Sequence, residues 1–139
     1  MQLGKGRGGV ISDAETRKLL YLQVVMKEGM RVHPPVMTMI AKRVPDGGDT
    51  VVVNGKVVRL PGGANISQAT LALQHNKEVF GEDVAEFRPE KWLLETDANK
   101  LAEMNRANEL IFGYGRYQCL GKSIAMMEIA KTIFEVSCC

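Results

Sequence analysis

Apolar residues recur along the chain with a helical period at each end and a strand-like period in the middle, and that switch sets out the expected elements. Leu19, Leu22, Val25, Met26 and Met30 fall at the spacing of an amphipathic helix. Ser12 and Glu15 form a capping-box pattern at its start. His33-Pro34-Pro35 ends it, because proline removes a backbone donor and pushes the preceding residue toward extended geometry. Val36 to Val44 is apolar with little charge until Lys42. The run TVVVNGKVVRL predicts two short strands about Asn54-Gly55, a pair that accepts the positive φ values of a type I′ turn. Pro61-Gly62-Gly63 marks the next turn, Ile66 to Ala69 a short strand and Leu71 to Gln74 a short helix. From Asn76 to Leu94 acids, glycine and aromatics surround Pro89, which predicts irregular coil packed by Phe80, Phe87 and Trp92. Helices are expected again over Asp97 to Asn108 and over Leu120 to Val136, the latter with Ile124, Met127, Ala130, Ile133 and Phe134 on one face. The fold class is therefore mainly α with small β-sheet elements, without internal repeat or domain boundary. A chain of 139 residues is long enough to bury roughly two thirds of its extended surface.

Candidate chemistry is concentrated in FGYGRYQCLG, Phe112 to Gly121, where Cys119 lies between a glycine-dense loop and an amphipathic segment. A helix beginning near Leu120 would aim free N–H groups and its positive dipole end at the sulfur, which favours thiolate. Gly113 and Gly115 remove side chains from a loop that must pass beneath something flat, and Phe112 supplies an apolar wall. This combination suits a haem held by one sulfur, whose electron density favours O–O cleavage. The competing reading is a buried structural cysteine at a loop-helix junction. Glu28 and Arg31 stand at i, i+3 on the first predicted helix, where an exposed ion pair contributes only about 0.2–0.5 kcal/mol.

Three segments, KEGMRVHPP, FRPEKW and the cysteine loop, occur in an order and spacing that resembles the cytochrome P-450 monooxygenases. The stretch from Ser12 to Phe134 is similar to the C-terminal haem-binding portion of that family, and DAETRKL, NKEVFGED and KLAEMNR are most like filamentous-fungal members. The resemblance implies the C-terminal part of the cytochrome P-450 fold: a helix K region, a β-hairpin, an irregular proximal coil, the cysteine loop and helix L. It implies one partial domain over residues 1–139, with 1–11 a flexible tail. It further implies haem b as cofactor, held by Phe112, Gly113, Gly115, Arg116, Cys119 and Gly121, with Cys119 as axial iron ligand. Glu28, Arg31 and Lys91 would form a structural triad on the proximal side, and no catalytic residue is matched in this portion. The family reaction inserts one oxygen atom from O2 into a small organic substrate, with electrons from an NADPH-dependent flavoprotein reductase. Arg116, Lys122 and Lys131 are candidates to meet an acidic partner of that kind.

Three departures from the family pattern bear on this picture. Lys91 stands where most relatives have arginine and offers a compact charge in place of a planar fork. Tyr117 stands where the family usually has a basic residue that meets a haem propionate, which leaves that role to Arg116 from a shifted angle, to the Tyr117 hydroxyl or to other residues. Leu20 replaces a proline found in many relatives, so the first helix is expected to run further toward its N-terminus. The family's distal helix, with its acid-threonine pair, would precede Met1. A truncated, catalytically inactive haem-binding or structural fragment is accordingly the alternative expectation.

Composition narrows the field. With 45% hydrophobic and 24% charged residues and a net charge of +2, nothing presses toward disorder or a nucleic-acid partner. No apolar run reaches the 18 or more residues of a membrane span, and MQLGKGRGG lacks the apolar stretch of a signal peptide. Full-length relatives imply the endoplasmic reticulum membrane, whereas the chain as it stands reads as cytosolic. Of the three cysteines, adjacent Cys138 and Cys139 read as a frayed end in a reducing compartment. His33 and His75 lack metal-site spacing, and Met126 and Met127 read as helix-face residues.

Overall fold

A computed structural model describes residues 10–37 and 40–137. Most of the expected tail, residues 1–9, and the pair Cys138 and Cys139 lie outside the described residues. The chain forms helices α1 (Asp13–Thr16), α2 (Leu20–Val32), α3 (Thr70–Gln74), α4 (Lys77–Phe80), α5 (Lys91–Leu94), α6 (Ala98–Glu109) and α7 (Lys122–Ser137). Strands β1 (Lys42–Arg43) and β4 (Asn65–Ile66) pair antiparallel, as do β2 (Asp49–Val53) and β3 (Lys56–Leu60). Two 3-10 turns, Leu110–Phe112 and Gly115–Tyr117, lie between α6 and α7.

Where local chemistry is decisive the elements match expectation. Ser12 caps α1 reciprocally with Glu15, and Asp97 caps α6 by accepting from the amides of Asn99 and Lys100. Asn54 at φ 50° and Gly55 at φ 74° make the hairpin turn, with Val53 opposite Lys56. Both turn residues occupy the left-handed region, as a type I′ turn requires.

Five expectations are corrected. The first helix is split, because the amides of Lys18 and Leu19 bond back to Glu15 and Thr16 in a tight turn. The Gln23 side chain then takes the Thr16 carbonyl at 3.0 Å. Leu20 is the first residue of α2, a position where proline is itself favoured, so losing the proline adds no helix. Within 76–94 the coil is interrupted by α4 and α5, and Phe87 is 54% exposed while Phe80 and Trp92 are buried. The strand expected over Ile66 to Ala69 covers Asn65–Ile66 instead. Finally, α7 begins at Lys122, and its Ile124 is exposed although Ala130 is buried. At the inner end of the expected tail the Ile11 amide donates to Glu135 at 2.8 Å.

The core gathers Val24 of α2, Val79 and Phe80 of α4, Val84, Trp92 of α5, and Met104 and Ala107 of α6. Helix α2 packs on both α6 and α7, and α1 on α7. This arrangement holds the two ends of the cysteine loop, which leaves α6 and enters α7, against one central helix.

Candidate functional site

Helix α2 places Glu28 and Arg31 on one face, and both side chains are wholly buried. Every N–H of the Arg31 guanidinium is used. Its Nε donates to Glu28 Oε2 at 2.9 Å and its Nη2 to Oε1 at 2.9 Å. The remaining donors reach the carbonyls of Gln74 at 3.1 Å, Val84 at 2.6 Å and Glu86 at 2.8 Å. Glu28 also accepts from the Arg88 amide at 3.0 Å and from Trp92 Nε1 at 2.9 Å. Burial pushes the Glu28 carboxyl up, but the hydrogen bonds from Arg31, Arg88 and Trp92, with the Arg31 charge, together hold it below the ordinary carboxylate value. Lys91 does reach the third corner, with Nζ 3.8 Å from Glu28 and 3.5 Å from Asp83. Its charge is shared between the two acids at distances longer than close hydrogen bonds, as befits a point charge in place of a fork. Arg88 lies 2.6 Å from the other Asp83 oxygen as an ion pair, without the alignment of a hydrogen bond. The network ties α2 to the irregular segment around Val84 to Arg88 and to Trp92 of α5.

The loop itself is closed by a main-chain bond in which the Cys119 amide donates to the Phe112 carbonyl at 2.7 Å. Gly113 sits at φ 75°, and a Cβ there would lie 2.7 Å from the Tyr117 carbonyl oxygen. Gly115 is also left-handed, at φ 59°, but a Cβ there would meet open space. Gly121 borders the cysteine, a Cβ at that position lying 3.8 Å from Sγ. Cys119 is a free, exposed thiol, which removes the reading of a buried structural cysteine. Helix α7 starts three residues beyond it, two later than the sequence pattern predicts.

Gly113→Ala should therefore damage the loop more than Gly115→Ala. Both pay for a left-handed side chain, about 1–2 kcal/mol, and only the first adds a backbone clash. Thermal unfolding of the two variants checks this, and equal losses would show that the clash relaxes freely.

Above the loop lies an open cavity of about 720 Å³, inside the roughly 300–1,000 Å³ range of cofactor and small-molecule sites. Cys119, Phe112, Gly113 and Tyr117 form one side, and Val36, Ile40, Lys42 and Ile66 another. Lys42 Nζ rests 3.5 Å from the Tyr117 ring centroid, and Arg116 approaches the same ring at 4.9 Å. One accessible sulfur, apolar walls and a cationic edge fit a flat, metal-bearing group with acidic substituents. Arg116, Gly115 and Gly121 stand around the loop but do not line the cavity. His33 and His75 are likewise absent from its lining. Met126 and Met127 line a separate cavity of about 190 Å³ between α1, α2 and α7.

Of the predicted residues, Glu28, Arg31 and Lys91 form one buried group, while Phe112, Gly113 and Cys119 meet at the cavity. Sequence reasoning missed Trp92 and the Arg88 amide as partners of Glu28, and it missed Lys42 and Ile66 as cavity walls. Lys42 did carry a signal, since it is the first charge to interrupt the apolar run that begins at Val36.

Residues 2–136 match a family model described as cytochrome P-450. The cytochrome P-450 monooxygenase ABA1 of Pyricularia oryzae is 44% identical over 128 residues, which cover 92% of this chain and 24% of that protein. The corresponding monooxygenase of Botryotinia fuckeliana is 41% identical over 122 residues, 88% of this chain and 23% of the relative. Pisatin demethylase of Fusarium vanettenii is 38% identical over 130 residues, 94% and 24% respectively. The chain thus spans about a quarter of the length of the curated relatives it matches. Among solved structures, the haem domain of Acinetobacter radioresistens CYP116B5 superposes with a TM-score of 0.55 at 22% identity, covering 90% of this chain and 27% of that one. That likeness extends to the fold.

Proposed function

The chain belongs to the cytochrome P-450 family, and from that premise we propose that it forms the haem-binding section of a monooxygenase, with Cys119 as axial thiolate ligand of haem b. The observation that carries this reading is the exposed Cys119 thiol on the wall of the 720 Å³ cavity, beside Phe112 and Gly113. We read residues 1–139 as a single partial domain for this purpose. When bound, haem supplies activation of O2 and transfer of one oxygen atom to an organic substrate.

The chain's own residues do the rest. Cys119 donates electron density through sulfur, the lever that favours O–O cleavage. Phe112 and the apolar walls would, with the group in place, shield the sulfur from water and so strengthen its interactions. Gly113 allows the turn that presents it, and the Glu28 and Arg31 group fixes the frame behind it. An NADPH-dependent flavoprotein reductase is the proposed electron donor, and a small organic molecule the proposed substrate of a whole protein. Of the candidate docking charges, Arg116 is exposed and Lys131 half-buried, whereas Lys122 is engaged by Glu109. Lys122 is therefore the weakest of the three candidates. No helix among the described residues is long and apolar enough to cross a membrane, and the endoplasmic reticulum membrane is the proposed location of the whole protein.

The test is to reconstitute the purified chain with haem, reduce it and expose it to CO. The main absorption band is expected far to the red of that given by histidine ligation. A histidine-type or free-haem spectrum would overturn the assignment of the sulfur.

A further inference from the structure

We propose that Tyr117 is a positioning residue whose ring gathers Lys42 and Arg116 into one doubly charged edge that takes the two carboxylates of the cofactor. The inference rests on the haem reading above and deepens it at a position where the loop lacks the expected basic residue. Lys42 comes from strand β1, held opposite Ile66 of β4, and Arg116 from the second turn of the cysteine loop. The two cations converge on a single aromatic ring, at 3.5 and 4.9 Å from its centroid. Lys42 and Tyr117 both line the cavity that contains Cys119, and Arg116, outside the lining, adjoins it through the Tyr117 ring.

Like charges brought onto one side chain repel, so their convergence needs an explanation. Among the described residues neither cation has a carboxylate partner, although the adjacent Arg43 is paired with Asp46 at 3.3 Å. An acid in place of Tyr117 would hold the cations and cancel their charge. The aromatic face attracts them through its quadrupole and leaves the charge in place for an anion. A porphyrin edge with two carboxylates matches two such cations, and an esterified edge does not. The ring is the working part, and the hydroxyl is not required.

The experiment titrates the full chain with haem and with haem dimethyl ester, following absorbance. Wild type is compared with Tyr117→Phe, Tyr117→Leu, Lys42→Met and the Lys42→Met/Tyr117→Leu double variant. Tyr117 is 55% exposed, so its replacement spares the core. Tyr117→Leu should weaken haem binding about three- to thirtyfold, the range spanned by one or two cation–π contacts. Tyr117→Phe should bind haem as wild type does. The ester should bind more weakly than haem to wild type and respond to none of the substitutions. In the Lys42→Met background the loss caused by Tyr117→Leu should shrink. Equal losses for haem and ester, or an undiminished loss without Lys42, would show that the ring only packs and would overturn the proposal. Failure of the wild-type chain to give a thiolate-type CO spectrum would instead remove the haem reading, and this inference with it.

Discussion

Glu28→Ala should destabilise the fold by about 3–5 kcal/mol, the cost of leaving a buried charge without its partner. A domain of this size has roughly 5–15 kcal/mol in all, so much of the folded population is at stake. The reason lies in the saturation of the site. Arg31 is wholly buried, and two of its five donors end on Glu28. Removing the carboxylate leaves those donors, the Trp92 indole N–H and the Arg88 amide facing an apolar side chain. An exposed pair at the same spacing would shift stability by only a few tenths of a kcal/mol. Urea midpoints decide between them, and a midpoint within error of wild type would show that the pair is solvated in solution.

The same group dictates a pH dependence. Hydrogen bonding outweighs burial and lowers the Glu28 carboxyl in the folded state. Its stabilisation is therefore complete above the unfolded value of about 4.3 and disappears as pH falls through the lower folded value. Wild type should lose urea resistance between pH about 4.3 and the acid limit more steeply than Glu28→Gln, which has no such proton to bind. Parallel acid profiles would assign the acid sensitivity to other carboxylates.

What could be read from the sequence was whatever adjacent residues decide between themselves. The Asn54-Gly55 turn, the Ser12 cap and the Glu28/Arg31 face belong to this class. The helix split after Thr16 does not, because its carbonyl is taken by the side chain of Gln23, seven residues on. Apolarity alone also misplaced Phe87. The carbonyls of Val84 and Glu86 turn inward to Arg31, and with the backbone committed to those bonds the Phe87 ring is left largely in solvent. At the candidate site, the loop was legible because its glycines and cysteine are contiguous. The opposing wall was not, since Lys42 and Ile66 reach the cavity through pairing of β1 with β4 across the intervening hairpin.

Cys119→Ala should abolish the thiolate-type spectrum completely, while Cys138→Ala and Cys139→Ala leave it unchanged. Loss of the loop is not an adequate alternative cause, because the bond that closes it runs from the Cys119 amide to the Phe112 carbonyl and survives in alanine. The left-handed glycine at 113 and the apolar walls are also untouched, so the variant can still adsorb haem, now with a different axial ligand. Ligation and binding must therefore be measured separately, by the reduced CO band and by the titrated Kd. The expected result is a red-shifted band lost entirely, with Kd weakened but finite because the cavity's apolar walls remain. Cys119→His should restore a ligand to iron and give a histidine-type band, without the electron push that sulfur provides. Retention of the wild-type band in Cys119→Ala would show that another residue holds the iron, and the assignment of this loop would fall.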